Sequence, residues 1–166
     1  GDRSENPQEH IVNSSAGASG PAKIRIRHLQ DAMRAGRPFS MLTSYDQYSA
    51  QAFERAGIEV LLVGDSAGTT VLGHDSTVHT THEDIRVFTA AVARSVTRPL
   101  IVSDLAFGTY QAGPADAIRH GVDLVRAGAE AVKLEGGHEI IPQVTALVQA
   151  GIPVMGHLGF TPQSVN

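Results

Sequence analysis

Five short runs rich in leucine and β-branched residues, separated by stretches of helical character, limit most strongly how this chain can fold. They are "FSMLTSY" (residues 39–45), "EVLLVGD" (59–65), "PLIVSDL" (99–105), "EAVKLEG" (130–136) and "IPVMGHLG" (152–159). Between them lie "QYSAQAFERAG", "THEDIRVFTAAVARSV", "PADAIRHGVDLVRAG" and "IIPQVTALVQAG". A helix is also expected over residues 28–35, stopping at Gly36 and Pro38. Such alternation predicts parallel strands joined by crossover helices, an α/β fold. Three of the four intervening helices end in Ala-Gly, where glycine takes the left-handed cap that turns the chain into the next strand. Thr80 followed by Glu83 reads as a capping box opening the helix after the second strand. The spacing suits both a (β/α)8 barrel and an open doubly wound sheet. Five strands cannot close an eight-stranded barrel. Either the sheet is open, or residues 22–166 are the front part of a single barrel domain of about 250 residues, with an edge strand left unpaired.

Residues 1–21, "GDRSENPQEHIVNSSAGASGP", carry no apolar period and are expected to form a tail. Elsewhere the composition, 42% hydrophobic and 18% charged, supports one sizeable core. Thirteen Lys and Arg against seventeen Asp and Glu give a net charge of −4, and the basic residues are scattered. That argues against nucleic acid or a membrane surface as partner and favours a small molecule. Aromatics are only 5% with no Trp, so surfaces on which bases stack are scarce. The chain has no cysteine, which excludes disulfide and thiolate chemistry and fits a cytoplasmic setting. No apolar stretch approaches the roughly 20 residues needed to span a bilayer.

The chemistry gathers at the strand ends. Asp65 ends the second run, Asp104 the third, Glu135 the fourth, and His157 lies in the fifth. In a parallel sheet those ends share one rim, where active sites form. Three carboxylates in a partly dry cleft repel one another unless a cation compensates, and oxygen-only ligands point to a hard ion, Mg2+ before others. The plainer alternative is that each acid caps the turn that follows it. Lys133 lies two residues before Glu135, so both point to one face of their strand. It is a candidate to meet a substrate carboxylate or a developing enolate oxygen, to form a Schiff base, or only to pair with one of the acids.

"GDSAG" (64–68) also matches G-x-S-x-G, the nucleophile elbow of α/β-hydrolases, with Ser66 as nucleophile. An elbow leads straight into a helix, whereas "TTVLGHDSTVHTT" is rich in β-branched residues and glycine, so no helix is expected before about Thr80. His79 and His82 form an H-x-x-H pair without a third ligand at metal spacing, and are expected to be solvated. Gly136 and Gly137 can bring backbone N–H groups to a phosphate or substrate oxygen, or serve only as a turn. His157 either contacts substrate or ties down neighbouring backbone.

"VGDSAGTTVLGHDST", "SDLAFGTY", "VKLEGG" and "GHLGFTPQSVN", in this order from about Ile24 to Asn166, resemble the ketopantoate hydroxymethyltransferase family. The resemblance implies a (β/α)8 TIM barrel of the phosphoenolpyruvate/pyruvate type, assembled as a homodecamer in the cytoplasm and binding Mg2+. It implies transfer of a hydroxymethyl group from 5,10-methylenetetrahydrofolate to 3-methyl-2-oxobutanoate, giving 2-dehydropantoate through an enolate that Mg2+ stabilises. By resemblance the metal ligands fall on Asp65 and Asp104, with Glu135 the third acid near the metal through water. Ser66 and Lys133, with Asp65 and Asp104, meet the oxo acid, and His157 supports the site. Ala106 stands where the family usually has proline, a change expected to loosen its loop. The family's general base is a glutamate on a later strand, expected beyond Asn166, and Glu139 lies on the wrong segment to replace it. Three other readings stay open: a Ser66 hydrolase, an aldolase using Lys133, and a non-catalytic fragment that binds the oxo acid.

Overall fold

A computed structural model of the chain describes residues 22–156 and 159–160, so the expected tail (1–21) and His157 lie outside the described residues. Strands β1 (Met41–Thr43), β2 (Val60–Val63), β3 (Leu100–Asp104), β4 (Ala131–Lys133) and β5 (Val154–Gly156) fall within the five predicted runs. They pair in parallel in the order β1-β2-β3-β4-β5. This order settles what spacing left open. A doubly wound sheet reverses its strand order at a switch point, whereas a strictly sequential sheet with right-handed crossovers places its connecting helices on one face, as in a barrel.

Those helices are α2 (Gln47–Arg55), α4 (His82–Ser95), α5 (Pro114–Ala127) and α6 (Ile141–Gln149). They cover the outward-pointing residues Leu61, Val63, Ile101, Val132 and Val154, packing Ala50, Ile85, Val92, Leu124 and Leu147 against them. Each such fully buried aliphatic side chain is worth about 1.5–3 kcal/mol. Ser103, polar at an outward position of β3, is satisfied by a 2.6 Å hydrogen bond with Thr89 of α4. The opposite, concave face is apolar at its lower end, where Val60, Leu100, Val102, Ala131 and Met155 meet Ile24 and Leu29. Leu29 belongs to α1 (Ile26–Arg34), which plugs that end.

The Ala-Gly stops behave as expected: Gly57, Gly128 and Gly151 sit at φ 81°, 121° and 86° after their helices. Three expectations need correction. The capping box of α4 is Thr81 with Asp84, one residue later than Thr80 with Glu83, because Thr80 points inward and Glu83 pairs with Arg86. A single helical turn, α3 (Ala67–Thr70), forms directly after Ser66, where no helix was expected. Its residues are poor helix formers, and local backbone bonds such as Thr70 N–H to Ser66 O and Val71 N–H to Ala67 O close the turn. The fifth run splits in two: β6 (Gly159–Phe160) returns antiparallel on β5. Strand β1 stands at the opposite edge, exposed along its length, as an unpaired edge strand was expected to be.

Helix α2 gives a local test. The Asp46 carboxylate accepts hydrogen bonds from Ser49 N and Ser49 Oγ, both at 2.9 Å, and these bonds hold its pKa below the usual value. Asp46→Ala should destabilise the fold by about 1 kcal/mol and Asp46→Asn by much less, read from denaturant midpoints. Because the folded carboxyl binds its proton more weakly than the unfolded one, this contribution is present above the ordinary carboxylate range. It fades as pH falls through the lowered value, and the Asn variant should be spared that loss.

Candidate active site

The upper end of the concave face is charged. Residues 104, 133 and 135 continue the inward alternation of β3 and β4, and the parallel register sets Asp104 beside Lys133. Asp65, Asp104, Lys133 and Glu135 line one cavity of about 150 Å³, together with Thr77, Val78, Leu105, Phe107, Tyr110 and Leu134. The strand-end acids are therefore neighbours around a shared space, as sequence position implied.

Asp104 is the anchor. It is only 7% exposed. Its Oδ2 accepts a 2.9 Å hydrogen bond from Asp65 N–H, while its Oδ1 is buried without a hydrogen-bond partner, 3.6 Å from the Lys133 ammonium. Burial raises its pKa above the ordinary carboxylate value, against the pull of Lys133 and of the Asp65 amide. Asp65 is also raised, by burial first and by the Glu135 charge second. Burial works to lower Lys133, yet Asp104 and Glu135 outweigh it and leave the ammonium held above its usual value. Lys133 stands 3.4 Å from Glu135 Oε1. No three carboxylate or histidine side chains among the described residues lie at metal-ligand spacing. The Lys133 ammonium stands among these acids, within 3.6 Å of Asp104 Oδ1 and 3.4 Å of Glu135 Oε1.

Other candidates separate. Ser66 Oγ pairs with the Tyr45 hydroxyl, and among the described residues no histidine stands as its base. His79 is exposed beside Asp75, as expected, whereas His82 is not solvated: it packs against His120 and hydrogen-bonds Asp123 at 3.2 Å. Gly137 N–H is taken by Glu139 at 2.8 Å and is not free to bind a phosphate or substrate oxygen. Ala106 does not loosen its loop. It is fully buried, and its carbonyl accepts from Thr109 N–H at 3.1 Å and Thr109 Oγ1 at 2.6 Å.

Two contributors were hidden from the sequence. Thr80, 1% exposed, donates from Oγ1 to the Asp65 carbonyl at 2.6 Å and so pins the turn that carries Asp65 and Ser66. Tyr110 reaches from the loop after β3 to the end of β4. Neither bond has a local signature; "SDLAFGTY" contains Tyr110 but nothing in the run predicts its partner.

The sequence profile described as ketopantoate hydroxymethyltransferase matches residues 23–166. The chain belongs to that family. It is 53% identical over 151 residues to 3-methyl-2-oxobutanoate hydroxymethyltransferase of Thermobifida fusca (strain YX), covering 90% of this chain and 54% of that protein. It is 51% identical over 155 residues to the enzyme of the same name from Leifsonia xyli subsp. xyli (strain CTCB07), covering 92% and 56%. The chain thus spans about half the length of the curated relatives it matches. Among solved structures, a phosphonopyruvate hydrolase complexed with oxalate and Mg++ superposes with a TM-score of 0.62 at 16% identity, over 78% of this chain and 50% of that one. A 2,3-dimethylmalate lyase of the PEP mutase/isocitrate lyase superfamily gives 0.62 at 20% identity, over 81% and 53%. These likenesses concern the fold. They agree with the sequential sheet, which has the α/β architecture of part of a (β/α)8 barrel.

The Thr80 tether makes a prediction. A Cβ on Gly68 would lie 1.9 Å from Thr80 Oγ1. Gly68→Ala should therefore cost about 1–3 kcal/mol through overpacking. Thr80→Val, which removes one of the two hydrogen bonds to the Asp65 carbonyl and leaves that from Gly68 N–H, should cost about 0.5–1.5 kcal/mol, with Thr80→Ser milder. Thermal melts of the three variants check the order.

Proposed function

We propose that this chain carries the oxo-acid and metal half of a 3-methyl-2-oxobutanoate hydroxymethyltransferase. The whole protein would transfer a hydroxymethyl group from 5,10-methylenetetrahydrofolate to 3-methyl-2-oxobutanoate, yielding 2-dehydropantoate for pantothenate synthesis. The observation that carries the reading is a buried carboxylate, Asp104, sharing one rim cavity with Asp65, Glu135 and Lys133, in a chain of this family. Its assembly as a homodecamer in the cytoplasm belongs to the same proposal.

The residues suit Mg2+. Asp104 Oδ1 is buried without a hydrogen-bond partner, Asp65 is pushed toward protonation by burial and by a neighbouring anion, and the available acidic ligands are all oxygens, which a hard cation prefers. Asp65 and Asp104 would hold the ion directly, with Glu135 acting through water. Bound there, Mg2+ would supply Lewis-acid polarisation of a 2-oxo acid.

The chain's own groups do the rest. The Lys133 ammonium, held protonated by its two acidic neighbours, meets the negative oxygens of the oxo acid, and its attraction grows as charge builds there on loss of the C3 proton. Ser66 donates a hydroxyl to the same oxygens, with its orientation set by Tyr45. Phe107 and Val78 supply apolar wall beside the charged floor, where the branched alkyl group of the substrate would lie and water would be displaced.

Calorimetry with 3-methyl-2-oxobutanoate tests this. Binding should require Mg2+ and disappear with EDTA. Asp65→Ala should abolish Mg2+-dependent binding while the far-UV spectrum and melting stay near those of the parent; unchanged affinity would falsify the metal assignment. Lys133→Ala should weaken binding and turnover together by roughly tenfold or more, since the ammonium meets charge in ground and transition states alike. An effect on melting temperature alone would assign Lys133 a structural ion pair instead.

A further inference from the structure

We propose that Tyr110 is a positioning residue for Glu135, its phenol fixing the backbone that carries this acid into the cavity, with Gln143 holding Tyr110 in turn. The inference rests on the reading of Glu135 as the third acid of the site.

The backbone at Glu135 has little else to hold it. Strand β4 ends at Lys133, whose carbonyl accepts from Leu105 N–H at 2.7 Å. After Glu135 come Gly136, at φ +151°, and Gly137, and φ +151° is backbone that L side chains rarely adopt. A Cβ at Gly136 would also lie 2.7 Å from Ile140 Cγ2, so this turn requires glycine. The Glu135 side chain offers no packing of its own: it is 64% exposed, and its protein contact is Lys133. Where its carboxylate sits is therefore decided by its main chain.

That main chain is clasped from across the sheet. The Tyr110 hydroxyl accepts a 3.3 Å hydrogen bond from Glu135 N–H and donates a 3.0 Å hydrogen bond to Glu135 C=O. One hydroxyl has one proton and two lone pairs, so it serves both groups together only as the neutral phenol. The tyrosine is itself only 6% exposed. Its carbonyl accepts a 2.9 Å hydrogen bond from Gln143 Nε2, and Gln143 is buried on α6. A relay thus runs from α6 through the loop after β3 to the residue beyond the tip of β4, and its last member is the acid lining the cavity. Tyr110 touches the cavity wall, but its hydroxyl is turned to the backbone.

A double-mutant cycle read by calorimetry, with Mg2+ and 3-methyl-2-oxobutanoate as probes on the full chain, separates positioning from general support. Tyr110→Phe keeps the ring and removes the clasp; it should weaken Mg2+-dependent binding roughly tenfold, as loss of an outer support commonly does. In a Glu135→Gln background the same change should cost less than about twofold, because the group it positions is gone. Gln143→Ala should show the same background dependence and carries the cycle if Tyr110→Phe fails to fold. An equal loss in both backgrounds, or no loss in either, overturns the inference. If the parent shows no Mg2+-dependent binding, or Glu135→Gln binds as the parent does, the reading of the site falls and the inference with it. If Glu135→Gln weakens binding and Tyr110→Phe does not couple to it, only the inference falls.

Discussion

The site depends on one buried carboxylate. Asp104 is removed from water at the top of β3, and such a group must be paired, hydrogen-bonded or neutralised by a proton. Its two oxygens meet this demand in different ways. Oδ2 is taken by the Asp65 amide, which fixes the turn after β2 against the tip of β3. Oδ1 faces Lys133 at ion-pair distance without a hydrogen bond. One half of the carboxylate is structural and the other is available. Because parallel register puts residue 104 opposite residue 133, this arrangement is built into strand pairing and does not wait on loop conformation.

The concave face shows how the fold makes room for such a group. Its lower layer is aliphatic and plugged by α1. Two residues further along each strand, the same inward positions become Asp104 and Lys133. Rigid apolar packing below and charge above means the acids are held by strands anchored on both faces. Ser103, adjacent to Asp104 and pointing the other way, ties β3 to α4 through Thr89, so a polar residue on the helix side also steadies the strand that carries the key acid.

The strands and the rim were legible in the sequence because buried parallel strands read as near-continuous apolar runs, and because an acid at the end of such a run stands out. The sequential order was not legible: spacing fits either architecture, and only pairing decides. Thr80 shows why the supports escaped notice. Its position before Glu83 looks like a local cap, yet its hydroxyl bonds Asp65 fifteen residues earlier. Short polar side chains carry both kinds of signal, and the sequence displays only the local one. Tyr110 has the same character, joining residues 25 apart. The helix after Ser66 was missed for a different reason: poor propensity matters little in a single turn held by its neighbours.

The charges around the cavity bear on the proposed chemistry. Asp65, Asp104 and Glu135 bring three negative charges when ionised, and Lys133 returns one positive, which leaves the group two charges short of neutrality. Burial raises the pKa of both aspartates first, and the neighbouring carboxylates add to it, against the pull of Lys133. A divalent ion of the kind proposed would supply the missing charge. The Asp104 oxygen that is buried without a hydrogen bond is the point in the cavity with most to gain from such an ion.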